Sequence, residues 1–257
     1  KQDTLAALMN SFLGEAYLSW VGDMEKSLEY YTNEMAIREE IQDPSEYKDL
    51  IFNIAYLYDE MAMYDKSEQL YLDLLYYDEE ATGKKSEEYF TTAYSLLDHY
   101  INTYNIKAGL ELADDLKKLV KRNTYNEALV LRAFAELYTQ TGELKSAEKN
   151  IVEAIEILEE TGYYPSLEYV FFLNTMSFVY SDMGKLNLVE EILTNSLDIL
   201  ARLQGEYEED AISIKSNLAT MYKELGNHAK AEELFKEVRG FDASYYGEDS
   251  YSYGLST

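Results

Sequence analysis

Few residues in this chain have the types and spacing to do chemistry. The two histidines, His99 and His228, stand far from any motif, and there is no cysteine. A thiolate nucleophile, a disulfide framework and a thiolate metal site are therefore excluded. Carboxylates gather at Asp78-Glu79-Glu80, Asp114-Asp115 and Glu208-Glu209-Asp210. None of these runs has the alternating oxygen ligands and central glycine of a calcium loop. They read as solvated helix faces, or as first-turn acids favoured by the helix dipole. There is no glycine-rich phosphate loop, no G-x-S-x-G and no H-E-x-x-H. No enzyme activity, metal or cofactor is expected. The chemistry that remains is recognition, carried by aromatic rings and single charges that helices must position.

Those helices show best in Leu131–Leu158, LRAFAELYTQTGELKSAEKNIVEAIEIL. Leu131, Phe134, Ala135 and Tyr138 share one helical face; Leu144, Ala147, Ile151, Ala154, Ile155 and Leu158 share another. The short hinge at Thr141-Gly142 folds the two helices back antiparallel. Ala135 and Ala147 fall where such helices come closest, and close crossing needs small side chains. The unit recurs. Counterparts of Ala147 are Ser27, Ser67, Ala108, Val189 and Ala231, at successive spacings of 40, 41, 39, 42 and 42 residues. Counterparts of Ala135 are Gly14, Ala55, Leu96, Ser177 and Ala219. Three residues further on stand Tyr17, Tyr58, Tyr138, Tyr180 and Tyr222, with His99 in that place in the third unit. A fixed period of this length with helix-pair chemistry predicts a solenoid. Both histidines are then explained by the repeat, His99 in the tyrosine place and His228 at the start of a second helix.

On these residues the chain resembles the tetratricopeptide-repeat (TPR) family. Leu13-Gly14-Glu15-Ala16-Tyr17 fits that family's L-G-x-x-Y segment, and Ala231-Glu232-Glu233-Leu234-Phe235 its A-x-x-x-F segment; Ser67 with Tyr71 is a softer copy. The period exceeds the family's usual one and resembles the long repeats of kinesin light chains. The resemblance implies an all-α, right-handed superhelical solenoid of antiparallel helix pairs. Six pairs are expected, with a partial seventh.

The expected units are 1–42, 43–83, 84–122, 123–162, 163–204 and 205–240, in one array with a bend at the divergent third. Residues 241–257 read as the start of a further helix or a capping tail, with Gly240 ending the sixth unit. In the first unit, one residue more than elsewhere precedes the turn at Gly22-Asp23, so the last turn of that helix should be irregular. Asp43-Pro44-Ser45 opens the second pair. The turn Ala62-Met63-Tyr64 lacks glycine and should be tight.

Charge is the sharpest compositional fact: 22 basic against 49 acidic residues, a net −27. Such a surface repels phosphate backbones and anionic lipid heads, so nucleic acid and membranes are not expected partners. It favours basic ones, besides keeping an elongated array soluble. No stretch is apolar enough to span a bilayer, and the expected location is cytoplasmic. The chain does not open on Met, which implies a processed or trimmed piece. The apolar face of the last helix, Ala231, Leu234, Phe235 and Val238, is expected to stand open. It would either be capped by Tyr246, Tyr251 and Leu255 or support a weak homodimer.

In a stacked array the first helices line the concave groove. Turning about 100° from the packing stripe gives the residues that look into it. These are Asp49, Phe52, Tyr56 and Asp59 in the second unit, Leu97 and Tyr100 (with Ala93) in the third, and Leu129, Arg132 and Glu136 in the fourth. Phe171, Asn174 and Phe178 follow in the fifth, and the polar Ser213, Ser216, Thr220 and Lys223 in the sixth. Aromatic residues flanked by acids make a peptide site for a basic or amphipathic segment, with Arg132 orienting it. The carboxylate clamp of chaperone-binding members of the family needs several cations, and one arginine is too few. The expected function is a non-catalytic protein-interaction scaffold. The alternative is a peptide-sensing regulatory module, or the docking or sensory arm of a larger signalling protein.

Overall fold

A computed structural model describes residues 2–41, 47–203, 205 and 207–245. Among these residues there are twelve α-helices and no strand. The helices are α1 (Gln2–Ala16), α2 (Met24–Glu40), α3 (Tyr47–Glu60), α4 (Tyr64–Thr82), α5 (Glu87–Asn102), α6 (Ile106–Leu119), α7 (Tyr125–Gln140), α8 (Leu144–Glu160), α9 (Leu167–Asp182), α10 (Leu186–Leu200), α11 (Glu208–Glu224) and α12 (His228–Tyr245). Contacts gather the chain into two compact units, residues 1–112 and 113–257. No helix among the described residues is long and apolar enough to cross a membrane.

Each pair is organised by its turn. One left-handed residue stands in every hinge: Gly22, Ala62, Tyr104, Gly142, Gly184 and Gly226, with φ between 56° and 76°. In five of the six hinges the next amide donates to a carbonyl five residues back. These bonds are Met63 to Tyr58 (2.7 Å), Asn105 to Tyr100 (2.9 Å), Glu143 to Tyr138, Lys185 to Tyr180 and Asn227 to Tyr222 (2.8 Å each). This is the Schellman closure of a helix end. Ala62 and Tyr104 adopt the left-handed conformation without glycine's freedom, at a steric cost. The first pair differs as its extra residue requires. Tyr17–Val21 is a π-helical turn, and Asp23 reaches Tyr17 six residues back at 2.9 Å. A π-turn is how a helix absorbs one inserted residue.

Five residues after each left-handed position comes the small residue of the second helix. Counted this way, the third pair is out of step with the sequence reading by one. Tyr104 points to Gly109, not Ala108, and the carbonyl that closes the turn belongs to Tyr100, not His99. Gly109 is buried and Ala108 only half-buried. The tyrosine place is therefore kept, and the first-helix place next to the crossing falls to Leu97. His99 occupies the position that elsewhere holds Leu57, Leu137, Val179 and Met221, all buried.

At the crossings Ala55, Ala135, Ala147, Ala219, Ser27 and Ser67 have no exposed surface. Gly14 is the tightest case, since a Cβ built there would lie 2.6 Å from the ring of Tyr31. Ser27 donates to the Gly14 carbonyl at 2.8 Å, tying the pair at that point. A lysine near each of four turns sits over the tyrosine that closes it: Lys26 on Tyr17 (5.0 Å), Lys66 on Tyr58 (5.1 Å), Lys185 on Tyr180 (4.8 Å) and Lys230 on Tyr222 (4.4 Å). Each such contact contributes about 0.5–1 kcal/mol at an exposed site.

α12 corrects the reading of the end of the chain. It passes through Gly240 and continues to Tyr245. Ala231 and Val238 are buried, while Leu234 and Phe235 are half-buried against the core. Tyr246, Tyr251 and Leu255 lie outside the described residues, as do Asp43-Pro44-Ser45.

Two expectations about stability follow. Gly14→Ala, Ala135→Leu and Ala147→Leu should each lower unfolding free energy by about 1–3 kcal/mol through overpacking, as measured by urea denaturation; unchanged midpoints would overturn the crossing geometry. The second concerns Glu127. Its burial pushes its pKa up, but a 2.7 Å bond from Lys117 and a 2.6 Å bond from the Asn123 amide outweigh that and hold it below the ordinary value. A depressed carboxylate stabilises above its unfolded pKa and loses that contribution as pH falls through the folded one. Glu127→Gln should therefore lower the melting temperature at pH 7 and narrow its difference from the parent protein as the buffer is acidified below about pH 4.

Candidate functional site

The groove positions part into two groups once burial is known. Within residues 1–112, α3 presents Asp49 and Tyr56 to solvent, Tyr56 being 48% exposed. Burial of the rest of its ring, with Glu60 nearby, pushes the Tyr56 phenol up. Phe52 is half-buried. Its ring meets Tyr71 at 6.1 Å, and Lys48 Nζ lies 5.8 Å from its centre.

Four residues expected in the groove are not there, and the first, Ala93, has no exposed surface. Leu97 is fully buried and Tyr100 is 6% exposed, donating to Glu68 Oε1 at 2.9 Å. Burial, then that bond, raise the Tyr100 phenol well above its ordinary value. These three corrections have one cause. The third pair was read one residue early, which rotates its groove face onto the packing stripe. With the register set by Tyr104, the groove positions become Thr91, Tyr94, Asp98 and Ile101, of which the first three are exposed or half-buried and Ile101 is buried. Asp59 is the fourth. Its Oδ1 accepts from the Ser67 hydroxyl and pairs with His99 Nδ1 at 2.8 Å, so it serves the interior.

Asp59, Ser67 and His99 have the residue types of a hydrolytic triad. Their arrangement is different. In a triad the histidine stands between serine and carboxylate, using one ring nitrogen for each. Here the carboxylate touches the serine directly, and Ser67 lies 3.3 Å from the same Nδ1 that faces Asp59. Ser67 is fully buried and His99 4% exposed, packed among the rings of Tyr64, Tyr71 and Tyr100. The cluster satisfies a polar residue placed in a leucine position.

Within residues 113–257 the expected groove residues come together. Phe171 and Phe178, on one face of α9, are 43% and 51% exposed. Between them Asn174 accepts from Asn217 Nδ2 of α11 at 2.8 Å. Toward α7, Thr175 donates to Glu136 at 2.9 Å, and Arg132 lies over the ring of Phe172 at 5.4 Å with its Nε 3.7 Å from Glu136. Arg132 is mostly covered, which fits a strut under the surface better than an orienting cation. Leu129 is half-buried against the core. Beside Phe178 lies a recess of about 240 Å³ walled by Ser181, Leu193, Asn217 and Thr220. Asn217 and Thr175 escaped the sequence reading, because both sit two residues before the crossing position, between the stripes that were counted. An asparagine pair has amide donors and acceptors to spare for a peptide backbone.

Among the described residues no group of three or more His, Asp or Glu side chains is arranged to hold a metal ion. If the sorting is right, Tyr56→Ala and Phe178→Ala should leave the melting midpoint within about 0.5 kcal/mol of the parent. Leu97→Ala should cost about 2–5 kcal/mol. Equal losses at all three positions would return the rings to the core.

Two stretches, residues 9–45 and 171–242, match family profiles described as tetratricopeptide repeat. No curated protein sequence matches the chain. Among solved structures it is similar to BtubC (BKLC) from P. vanneervenii, at 17% identity over 90% of this chain and 93% of that one, with a TM-score of 0.63. It is also similar to a Podosopora anserina putative kinesin light chain with nearly identical TPR-like repeats (15% identity, 79% and 97% of the two chains, TM-score 0.59). A third is a Rap protein complexed with Competence and Sporulation Factor (16% identity, 98% and 73%, TM-score 0.62). At such identities the likeness speaks for the fold.

Proposed function

We propose that this chain, a tetratricopeptide-repeat protein, is a non-catalytic interaction scaffold that holds an extended or helical segment of a protein partner against its first helices. The observation that carries the reading is the pair Phe171 and Phe178. Two phenylalanines, each about half exposed on one helix face and flanked by the Asn174–Asn217 amides, have no role in the fold that needs their exposure. Large apolar side chains beside spare amide groups are what a peptide uses, rings for its side chains and amides for its backbone. Within residues 1–112, Tyr56 and Asp49 on α3 and, in the corrected register, Tyr94 on α5 offer a surface of the same type. The net charge of −27 favours a basic or amphipathic partner.

A second reading is favoured by one comparison, the Rap protein solved with a bound factor. In that reading a short peptide changes the protein's shape and so regulates an attached function. Small-angle scattering separates the two, since compaction on binding supports the regulator and an unchanged profile supports the scaffold.

Binding can be tested with a displayed library of twelve-residue peptides. Selected sequences should be enriched in Lys, Arg and apolar residues. Phe171→Ala with Phe178→Ala should weaken them by at least about tenfold, the loss of one good anchor or more. Affinity should also fall as salt shortens the Debye length to about 10 Å and below. Selected peptides that bind the double variant undiminished would refute the site.

A further inference from the structure

Glu34 is a carboxylate in the wrong place. It sits on α2 seven residues after the crossing position Ser27. In the other pairs, with the third in its corrected register, that position holds Leu74, Leu116, Ala154, Ser196 and Val238. Glu34 is 1% exposed. Its Oε1 takes Arg38 Nε and a terminal Arg38 nitrogen, each at 2.7 Å, while its Oε2 is buried with no hydrogen-bond partner. A buried carboxylate with an unsatisfied oxygen is costly, and the fold accommodates leucine, alanine or valine at the equivalent places.

The carboxylate lines a recess of about 450 Å³ between α1 and α3, where Ser11, Phe12 and Glu15 meet Asp49 and Asn53. Three helices thus contribute three acids to one cavity. Glu15 accepts from Ser19 at 3.1 Å and from Tyr31 at 3.2 Å. Burial and the negative charges of Glu15 and Glu34 together raise the Tyr31 phenol well above its ordinary value. The nearby cations face elsewhere: Arg38 is bound to Glu34 Oε1, Lys26 to Asp23, and Lys48 to Asp78 and the Glu88 carbonyl. The rim is apolar, with Phe12 60% and Leu8 47% exposed, and Leu50 is buried at the wall.

We propose that this recess is a pocket for the guanidinium of an arginine in the partner segment. The proposal rests on the scaffold reading and deepens it. The acceptors (the carboxylates of Glu15 and Asp49, the unpaired but almost fully covered Oε2 of Glu34, the Asn53 carbonyl and the Ser11 hydroxyl) come from three directions. A planar guanidinium carries five N–H donors and can address several of them at once, whereas a lysine ammonium is compact and strongly hydrated. The exposed ring of Phe12 offers a face to the cation, and Leu8 covers the aliphatic stem. The acids are not disposed to hold a metal ion.

The chain has one tryptophan, and it is well placed to report on the pocket. Trp20 meets Phe12 edge to face at 5.8 Å between ring centres. The experiment titrates the whole protein with N-acetyl-arginine methylamide while following the Trp20 indole N–H by NMR. The lysine analogue and the uncharged, isosteric citrulline analogue are titrated in parallel. A saturable shift with arginine, a weaker one with lysine and none with citrulline is expected. Glu34→Gln and Asp49→Asn should each weaken the arginine response by about tenfold, the loss of one charged partner. Glu153→Gln, the same charge change on an exposed part of α8, should leave it unaltered. Asp49 is exposed and outside the Glu34–Arg38 pair, so Asp49→Asn decides the matter if Glu34→Gln fails to fold. Equal shifts with citrulline, no saturable shift at all, or no loss in Asp49→Asn would overturn the pocket. If arginine fails while selected peptides still depend on Phe171 and Phe178, the pocket falls and the scaffold stands; if both fail, the scaffold falls too.

Discussion

Everything in this chain depends on how closely two antiparallel helices can cross. The distance is set by backbone geometry at the turn, where one left-handed residue reverses the chain and fixes which side chains face each other. Seven residues before it (eight in the first pair, with its π-turn) and five after it, small side chains let the helices approach: Gly14, Ala55, Ala135, Ser177 and Ala219 precede the turns, and Ser27, Ser67, Gly109, Ala147 and Ala231 follow them, with Leu97 and Val189 the larger exceptions. The tyrosine that closes each turn does so through its carbonyl, which frees its ring for another contact. Four of those rings take a lysine, fastening the second helix to the end of the first. The repeat is thus a device of geometry first and of hydrophobicity second.

The same geometry explains what could be read from the sequence. Where glycine marks the left-handed residue, at Gly142, Gly184 and Gly226, the register is legible in the sequence. In the first pair the surplus residue was also legible, because Gly14 and Gly22 bracket it, and it appears as a π-turn. The third pair has Tyr104 where the others have glycine or alanine. Without a visible anchor, its register slid by one and sent Leu97 and Tyr100 to the wrong face. Two clues pointed the other way, a tyrosine at 100 and a glycine at 109, each one place beyond the residue that was chosen. Pairings such as Asp59 with His99, or Asn174 with Asn217, join neighbouring repeats across about forty residues of sequence, and a repeat pattern says nothing about which polar groups will meet.

The placing of charge follows from this arrangement as well. The 22 basic residues are far outnumbered, and many of them are bound to particular partners. Lys48 serves Asp78, Lys117 serves Glu127, Lys185 serves Glu148 and Lys215 serves Glu237, at 2.6–2.7 Å. Asp78 is 3% exposed and also takes Thr92, so that cation is needed where it is. Cations spent on buried acids and on tyrosine rings are not available to neutralise the open face. The net charge of −27 is fixed by composition, and the pairs decide only where on the protein negative charge is left locally uncompensated.

Two buried acids, Asp78 and Glu34, show how such a group can be told apart from a structural one. Asp78 stands at a place where other pairs hold Leu158 and Leu200, as Glu34 stands in a place for leucine or alanine. Asp78 has donors for its charge: Lys48 and Thr92 both reach its Oδ2. Its neighbours repay its desolvation, and it needs nothing from outside. Glu34 has Arg38 on one oxygen and no donor on the other, at the wall of a cavity whose remaining polar groups are acceptors or can act as such. Four of the five equivalent positions hold an apolar residue and the fifth holds Ser196; none holds a charge. What distinguishes Glu34 is that Ser11 and Asn53, the lining groups that carry donors, do not satisfy its second oxygen, so a donor brought by a ligand would complete it.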